Sequence, residues 1–302
     1  MVPGKGVGLI ANRTIHKGEI ITVRPATMMV QTGAHVRLDP EARNMLYGKA
    51  VARLPEPKRE LFMGQMGKDI DGKIETNCFQ VFLNNTDKKD DEQADPGSHL
   101  GCFPEISRFN HDCRPNLHYR INNITHTTVA VRDIAAGEEL SITYVGQMQT
   151  RAERQARLRR IWGFECGCAQ CRQSAASAAA SDARLAAIRR LEDDLAAFNE
   201  TEQRGVTAES GPALVRLYEE ERLHIYLAQA LTRAALNFAL FGQTERARAY
   251  ARDAAEAMDR EVGPHSVDAR SMRLLAEHPE AHWTWGKRRW GRRRRSGEGE
   301  KP

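Results

Sequence analysis

The spacing of apolar residues changes part-way along this chain. Toward the N-terminus they come in short runs separated by turn residues. Gly8 to Arg13 is apolar-rich and stops at Thr14-Ile15-His16-Lys17-Gly18, a turn signal. Ile20-Ile21-Thr22-Val23 is β-branched, and Cys78-Phe79-Gln80-Val81-Phe82-Leu83 is a further strand. Leu117 to Ile121 and Thr125 to Arg132 alternate as half-buried strands do, and Leu140 to Tyr144 follows the break at Ala135-Ala136-Gly137. One interval differs: from Asp39 to Met66 the spacing is helical, with Met45, Leu46 and Val51 before Pro55 and Pro57 and Leu61-Phe62 after. Thr86 to Gly97 is polar, with Asp, Lys, Pro and Gly, which predicts an exposed loop. Ile15-x-x-Gly18-Glu19-Ile20 echoes Ile134-x-x-Gly137-Glu138-Glu139-Leu140, as two glycine-turned hairpins would.

Beyond Tyr144 helix formers take over. Thr150 to Ile161 is an Arg-rich helix, and Ser174 to Ser181 is a linker or the first turns of another. Leu185, Ile188, Leu191 and Leu195 recur at helical spacing, as do Leu214, Leu217, Leu223, Leu227 and Leu231. Ala235 to Met258 is a helical hairpin broken at Gly242-Gln243-Thr244, with the small residues of a tetratricopeptide unit but no repeating period. The fold class is α+β, a β-rich front and an α-helical back.

Composition adds two limits. Apolar residues make up 41% and charged residues 28% of 302, ordinary globular values that exclude general disorder. No run is long enough to span a bilayer, and the start carries no apolar signal segment, so a soluble protein of the nucleus and/or cytoplasm is expected, with no membrane partner. Residues 281–302 hold eight Lys/Arg against two Glu; the whole chain is only +5, so the body is close to neutral. The basicity thus belongs to a tail, expected to be disordered and suited to nuclear import or loose phosphate contact. A neutral body argues against nucleic-acid binding by the folded part.

The six cysteines are Cys78, Cys102, Cys113, Cys166, Cys168 and Cys171. The last three form Cys-x-Cys-x-x-Cys, too cramped for disulfides among themselves and suited to three corners of a tetrahedral zinc site. The fourth corner is open to Cys113, Cys78, Cys102 or a histidine. Two other motifs carry chemistry. Gly4-Lys5-Gly6-Val7-Gly8-Leu9 lets backbone amides approach a ligand, but it precedes a strand and opens no helix, unlike a dinucleotide fingerprint. Arg108-Phe109-Asn110-His111-Asp112-Cys113-Arg114-Pro115-Asn116 concentrates polar groups in one rigid loop.

These blocks, in this order with Gly137-Glu138-Glu139-Leu140 and Tyr144, resemble the SET-domain protein lysine methyltransferases. The chain is similar to fungal SET proteins and to the SET–MYND group with its C-terminal helical domain. The resemblance covers about residues 4 to 172. It implies residues 1–150 as the SET domain with a helical insertion at about 35–70, and 151–173 as a post-SET zinc segment. A helical domain at 182–280 and the tail at 281–302 complete the expected organisation. It further implies S-adenosylmethionine held by Lys5, Gly6, Gly8, Asn77, Asn110, His111, Tyr144 and Phe164, with Tyr144 catalytic and Trp162 walling the substrate channel. A structural zinc on Cys113, Cys166, Cys168 and Cys171 is implied by the same likeness.

The sequence departs from the family at several points. Asp112 stands where Ser is commoner, and Trp162 where Tyr is, which leaves the number of methyl groups open. No Cys/His pairs of a MYND finger occur before Asn77, and only three residues precede Gly4, where the family usually has a strand. The expected function is methyl transfer to a protein lysine, histone or not. One alternative is an inactive SET scaffold that holds partners through its helical domain. The other is a nucleic-acid-binding zinc protein using the tail and its neighbours Trp283, Trp285 and Trp290.

Overall fold

Short apolar runs punctuated by glycine turns build short strands, and three small sheets result. In the computed structural model the described residues are 5–83, 98–196, 205–263 and 265–288. The strands are β1 (Leu9–Ile10), β2 (Ile20–Pro25), β3 (Met28–Gln31), β4 (Phe79–Phe82), β5 (Ser98–Cys102), β6 (Asn110–His111), β7 (Leu117–Asn122), β8 (Thr125–Ala130) and β9 (Glu139–Ile142). They pair as β1-β9-β6, β2-β8-β7 and β3-β5-β4. All pairings are antiparallel except β6 with β9, which runs parallel.

Helices α1 (Thr32–Arg37), α2 (Pro40–Ala52), α3 (Glu56–Met63) and α4 (Ile70–Asn77) form the insertion, which is therefore longer than the expected 35–70. Asp39 and Asp69 cap α2 and α4, each carboxylate accepting the N–H three residues on. Sequence reasoning missed both ends because the insertion begins on Thr32-Gly33, with no apolar period to announce a helix. It also missed β3 and β5, whose Met and Gly content lacks strand character. Val30, Tyr47, Val51, Phe62, Ile74 and Cys102 bury one small core. Phe103, Ile106, Phe109, Leu117, Ile134 and Ile142 are among those that bury a second.

The chain separates into two units: Met1–Tyr144 with Arg157–Glu165, and Val145–Ala156 with Cys166–Pro302. Helix α5 (Arg151–Trp162) contributes to both. The second unit holds α6 (Ala175–Ala196), α7 (Ser210–Glu220), α8 (Leu227–Leu240), α9 (Thr244–Glu261) and α10 (Val267–Glu277). The expected break at Gly242 is present, with φ of 68°, and the Gln243 N–H donates to the Phe238 carbonyl at 3.0 Å. Leu223, expected to continue a helix, lies in the turn after α7, where Arg222 adopts a φ of 54°. Alanines carry the packing: Ala234, Ala235, Ala247, Ala251 and Ala254 are fully buried, and small side chains let helices approach closely.

The tail expectation needs correction over residues 281–288. Thr284 is fully buried, Trp285 packs on the helical core and the Gly286 N–H donates to the Ala239 carbonyl at 2.9 Å. Burying an indole outweighs the polarity of its neighbours, and a packed Trp285 is not a stacking platform for bases. The basic run from Arg289, the predicted loop from Thr86 to Gly97, and Gly4 lie outside the described residues. No helix among those described is long and apolar enough to cross a membrane.

One buried histidine joins two of the small sheets. His126 on β8 is fully buried, its ring 5.0 Å from Phe79, 5.2 Å from Phe103 and 4.8 Å from Tyr119. Burial disfavours the imidazolium and lowers the pKa from 6.5 to about 4. Between those values the unfolded chain takes up a proton here and the folded chain does not. Stability therefore falls as pH drops through that window, by up to about 3 kcal/mol. Urea denaturation of His126→Gln should show a lower stability but a flatter pH slope between 6.5 and 4 than the wild type. An unchanged slope contradicts this assignment.

Candidate active site

The first unit contains a cleft of about 550 Å³. Lys5, Asn77, Phe79, Asn110, Tyr144 and Trp162 are among its lining residues. Its construction starts with β9. On one side Leu9 and Ile10 pair with Leu140 and Glu139, which brings the Lys5–Gly8 segment to this edge. On the other, Asn110 and His111 pair with Ser141 and Ile142. A two-residue parallel pairing is weak alone, and a buried asparagine reinforces it. The Asn116 side chain accepts the Ser141 N–H at 2.9 Å and donates to the Glu139 carbonyl at 2.8 Å and to Glu138 Oε1 at 3.0 Å. The loop from Asn110 to Asn116 is thereby pinned at both ends.

Tyr144 is held at two points. Its N–H donates to His111 Nδ1 at 3.0 Å, and its hydroxyl donates to the Phe109 carbonyl at 2.7 Å. With the phenolic proton directed at that carbonyl, the oxygen lone pairs face elsewhere. Burial, reinforced by the negative charge of Glu139, pushes the phenol up to about 12, so it stays protonated at neutral pH. Because Nδ1 of His111 accepts, the ring proton of the neutral tautomer resides on Nε2, 3.3 Å from Cys113 Sγ.

Aromatic rings surround this point. Trp162 lies 5.2 Å from the Tyr144 ring, and its indole N–H donates to the Thr76 carbonyl at 3.1 Å. Phe164 lies 6.3 Å from the His111 ring. Glu139 bridges the two motifs: one oxygen takes the Lys5 ammonium at 2.6 Å and the other accepts from Asn110 Nδ2 at 2.8 Å. Asp112, the departure from the family pattern, accepts the Arg114 N–H at 2.8 Å and so fixes the turn of the loop.

The structure thus brings Lys5, Asn110, His111, Tyr144, Trp162 and Phe164 to one region. Others behave differently from expectation. Lys5 and Val7 line the cleft, whereas Gly6, Gly8, His111 and Phe164 do not. Asn77 lines it, but its amide donates at 2.7 Å to both the Met66 and Lys73 carbonyls, so its donors are already committed. Sequence reasoning missed Glu139 as a bridge and the Phe109 carbonyl as an anchor. Both lie inside or beside the quoted motifs, but a backbone acceptor leaves no residue-type signal.

Residues 6–145 match the SET domain family. This part of the chain is a SET domain. Among curated relatives, N-lysine methyltransferase SMYD2-B of Danio rerio is 35% identical over 92 residues, 30% of this chain and 21% of the relative. Histone-lysine N-methyltransferase SMYD3 of Homo sapiens is 43% identical over 72 residues, 24% of this chain and 17% of that one. The set5 histone-lysine N-methyltransferase of Schizosaccharomyces pombe is 45% identical over 73 residues, covering 24% and 23%. The alignments therefore span about a fifth of these relatives.

In the second unit the SET domain is followed by a buried thiol cluster. Cys166, Cys168 and Cys171 are buried with their sulfurs within 4.8 Å of one another. Gln155 clamps Cys166 through its backbone, donating to the carbonyl at 2.8 Å and accepting the N–H at 2.9 Å. Gln170 donates to Ser181 Oγ at 2.9 Å, and that hydroxyl donates to the buried Glu221 at 2.8 Å, which also takes Arg184 at 2.6 Å. Three converging buried thiols are a soft donor set that suits zinc. Cys113, the fourth expected ligand, is buried in the first unit beside His111.

Removing the His111 acceptor tests how Tyr144 is held. His111→Ala should cost about 1 to 3 kcal/mol in urea denaturation, because the Tyr144 N–H loses its partner. His111→Asn should recover part of this, since its amide oxygen can replace Nδ1. Equal losses in the two variants contradict the assignment.

Proposed function

We propose that this protein transfers a methyl group from S-adenosylmethionine to a lysine side chain of a protein. The reading rests chiefly on one observation: the protonated Tyr144 hydroxyl is fixed to the Phe109 carbonyl at 2.7 Å inside an aromatic-walled cleft. The SET domain match and the lysine methyltransferases among the relatives support it.

The cleft fits the donor in size and chemistry, being within the range of small-molecule sites and carrying Lys5, Asn110 and aromatic rings together, with Asn110 held by Glu139 behind it. Lys5, Asn110, His111 and Phe164 would hold it. S-adenosylmethionine supplies an electrophilic methyl group on a positively charged sulfur. The remaining work falls to the chain. Only a neutral amine has a free lone pair, and free lysine titrates near 10.4, so walls such as Trp162, Phe79 and Tyr144 promote reaction by disfavouring ammonium. The lone pairs of Tyr144 Oη would accept an amine N–H and orient the nucleophile. The Phe109 carbonyl keeps the hydroxyl from rotating. Positioning and fixed dipoles account for the acceleration, with no covalent enzyme intermediate.

Tyr144→Phe removes the oriented oxygen and leaves the ring. In a protein extract incubated with methyl-labelled S-adenosylmethionine, it should lower labelling of lysine by about two orders of magnitude. Cofactor binding by that variant should persist. Wild-type binding without any labelling would favour the scaffold alternative.

We further propose one structural zinc per chain on Cys166, Cys168 and Cys171, with Cys113 as the fourth thiolate, as the likeness to post-SET segments implies. Four thiolates leave no open position, so this metal would order the chain and take no part in the reaction. Metal analysis should give one zinc per chain, and Cys113→Ala should lower it. Full zinc content in that variant rejects Cys113.

A further inference from the structure

Two cysteines remain outside the zinc set. Cys78 follows α4 directly, and the register of β4 with β5, Phe79 opposite Gly101, places Cys78 opposite Cys102 at the end of this ladder. Their sulfurs are 2.6 Å apart, so no other atom fits between them. The two differ in access: Cys102 is fully buried, while Cys78 is partly exposed and lines the cleft between Asn77 and Phe79. Both are free thiols.

We propose that Cys78 and Cys102 form a peroxide-reactive dithiol that closes into a disulfide in the wall of the cleft and lowers methyl transfer. Cys78, the thiol a small oxidant can reach, attacks one peroxide oxygen. The O–O bond breaks, water leaves and Cys78 becomes a sulfenic acid. The Cys102 sulfur then attacks the Cys78 sulfur. The S–S bond forms, the S–O bond breaks and a second water carries away the proton and the oxygen. Two thiols lose two electrons and two protons, and one peroxide is reduced to two waters.

The neighbouring sulfur and burial together raise the Cys78 thiol well above its ordinary value. The thiolate fraction at neutral pH is then small, and the pair responds to sustained oxidant rather than to a trace. A bond here would fasten the start of β4 to the end of β5, and with it Asn77 and Phe79, which flank Cys78 in the wall. The disulfide itself does not depend on the methyltransferase reading; only its effect on turnover does.

The test uses the full chain as purified, with its metal, treated with hydrogen peroxide and digested without reductant. Mass spectrometry should find Cys78 and Cys102 peptides joined, two hydrogens lighter than their sum, and separated again by dithiothreitol. Zinc should stay bound, which separates this event from oxidation of the other four cysteines. Methyl labelling should fall severalfold on oxidation and recover with dithiothreitol. In Cys102→Ala the sulfenic acid has no partner, so dimedone should mark Cys78 and the linked peptide should vanish. Cys78→Ser should abolish both products, which keeps the test intact should the first variant fail to fold. Absence of the linked peptide in the folded wild type overturns the proposal, as does pairing of Cys78 with any cysteine other than Cys102. A linked peptide with undiminished labelling, where the reduced protein is active, overturns the control of turnover. A linked peptide in a protein that never labels supports the dithiol and refutes the methyltransferase reading.

Discussion

The pairing of β6 with β9 is the constraint on which the site depends. It contains only two residue pairs, Asn110 with Ser141 and His111 with Ile142, and runs parallel, the weaker arrangement. Asn116 compensates by giving both its donor and its acceptor capacity to the β9 side of the loop. Without that asparagine the loop would have no fixed register. His111 would not reach the Tyr144 N–H, and Tyr144 would lose its backbone anchor, one of the two points that hold it. A buried amide that satisfies all its groups is costly to replace and gives a single geometry in return.

Electrostatics follow from the same frame. Glu139 sits on β9 with its charge shared between Lys5 and Asn110, so a carboxylate is held between the two motifs without being left unpaired. It also raises the Tyr144 phenol, adding to the effect of burial. One residue therefore joins the N-terminal segment to the loop and reinforces the burial that keeps the tyrosine neutral. The aromatic rings complete the wall, and His126 supports it from behind by packing on Phe79 and Tyr119.

Much of this was legible in the sequence because the informative residues are close together. Asn110 to Asn116 and Gly137 to Tyr144 are continuous motifs, and a motif survives even when its strands are only two residues long. The helical back half was legible from its leucine and alanine spacing. The echo between Ile15–Ile20 and Ile134–Leu140 has a physical basis too: Ile15 and Ile134 exchange backbone hydrogen bonds at 2.9 and 2.8 Å, and Gly18 and Gly137 both adopt positive φ. What remained hidden was long-range or backbone-mediated. β3 and β5 form because each has a partner, α1 forms where Gln31 supplies a cap, and Trp285 is ordered by a core formed far upstream. The opposition of Cys78 and Cys102 required the register of two strands separated by fifteen residues in the sequence.

Hydrogen–deuterium exchange with S-adenosylmethionine tests the central claim most directly, because it reads the site itself and needs no acceptor. The account predicts slower exchange in the peptides holding Lys5 to Val7, Phe109 to Asn116 and Tyr144, with α8 and α9 unchanged. Saturating ligand that leaves those three stretches unprotected, or that protects the helical unit instead, would contradict it.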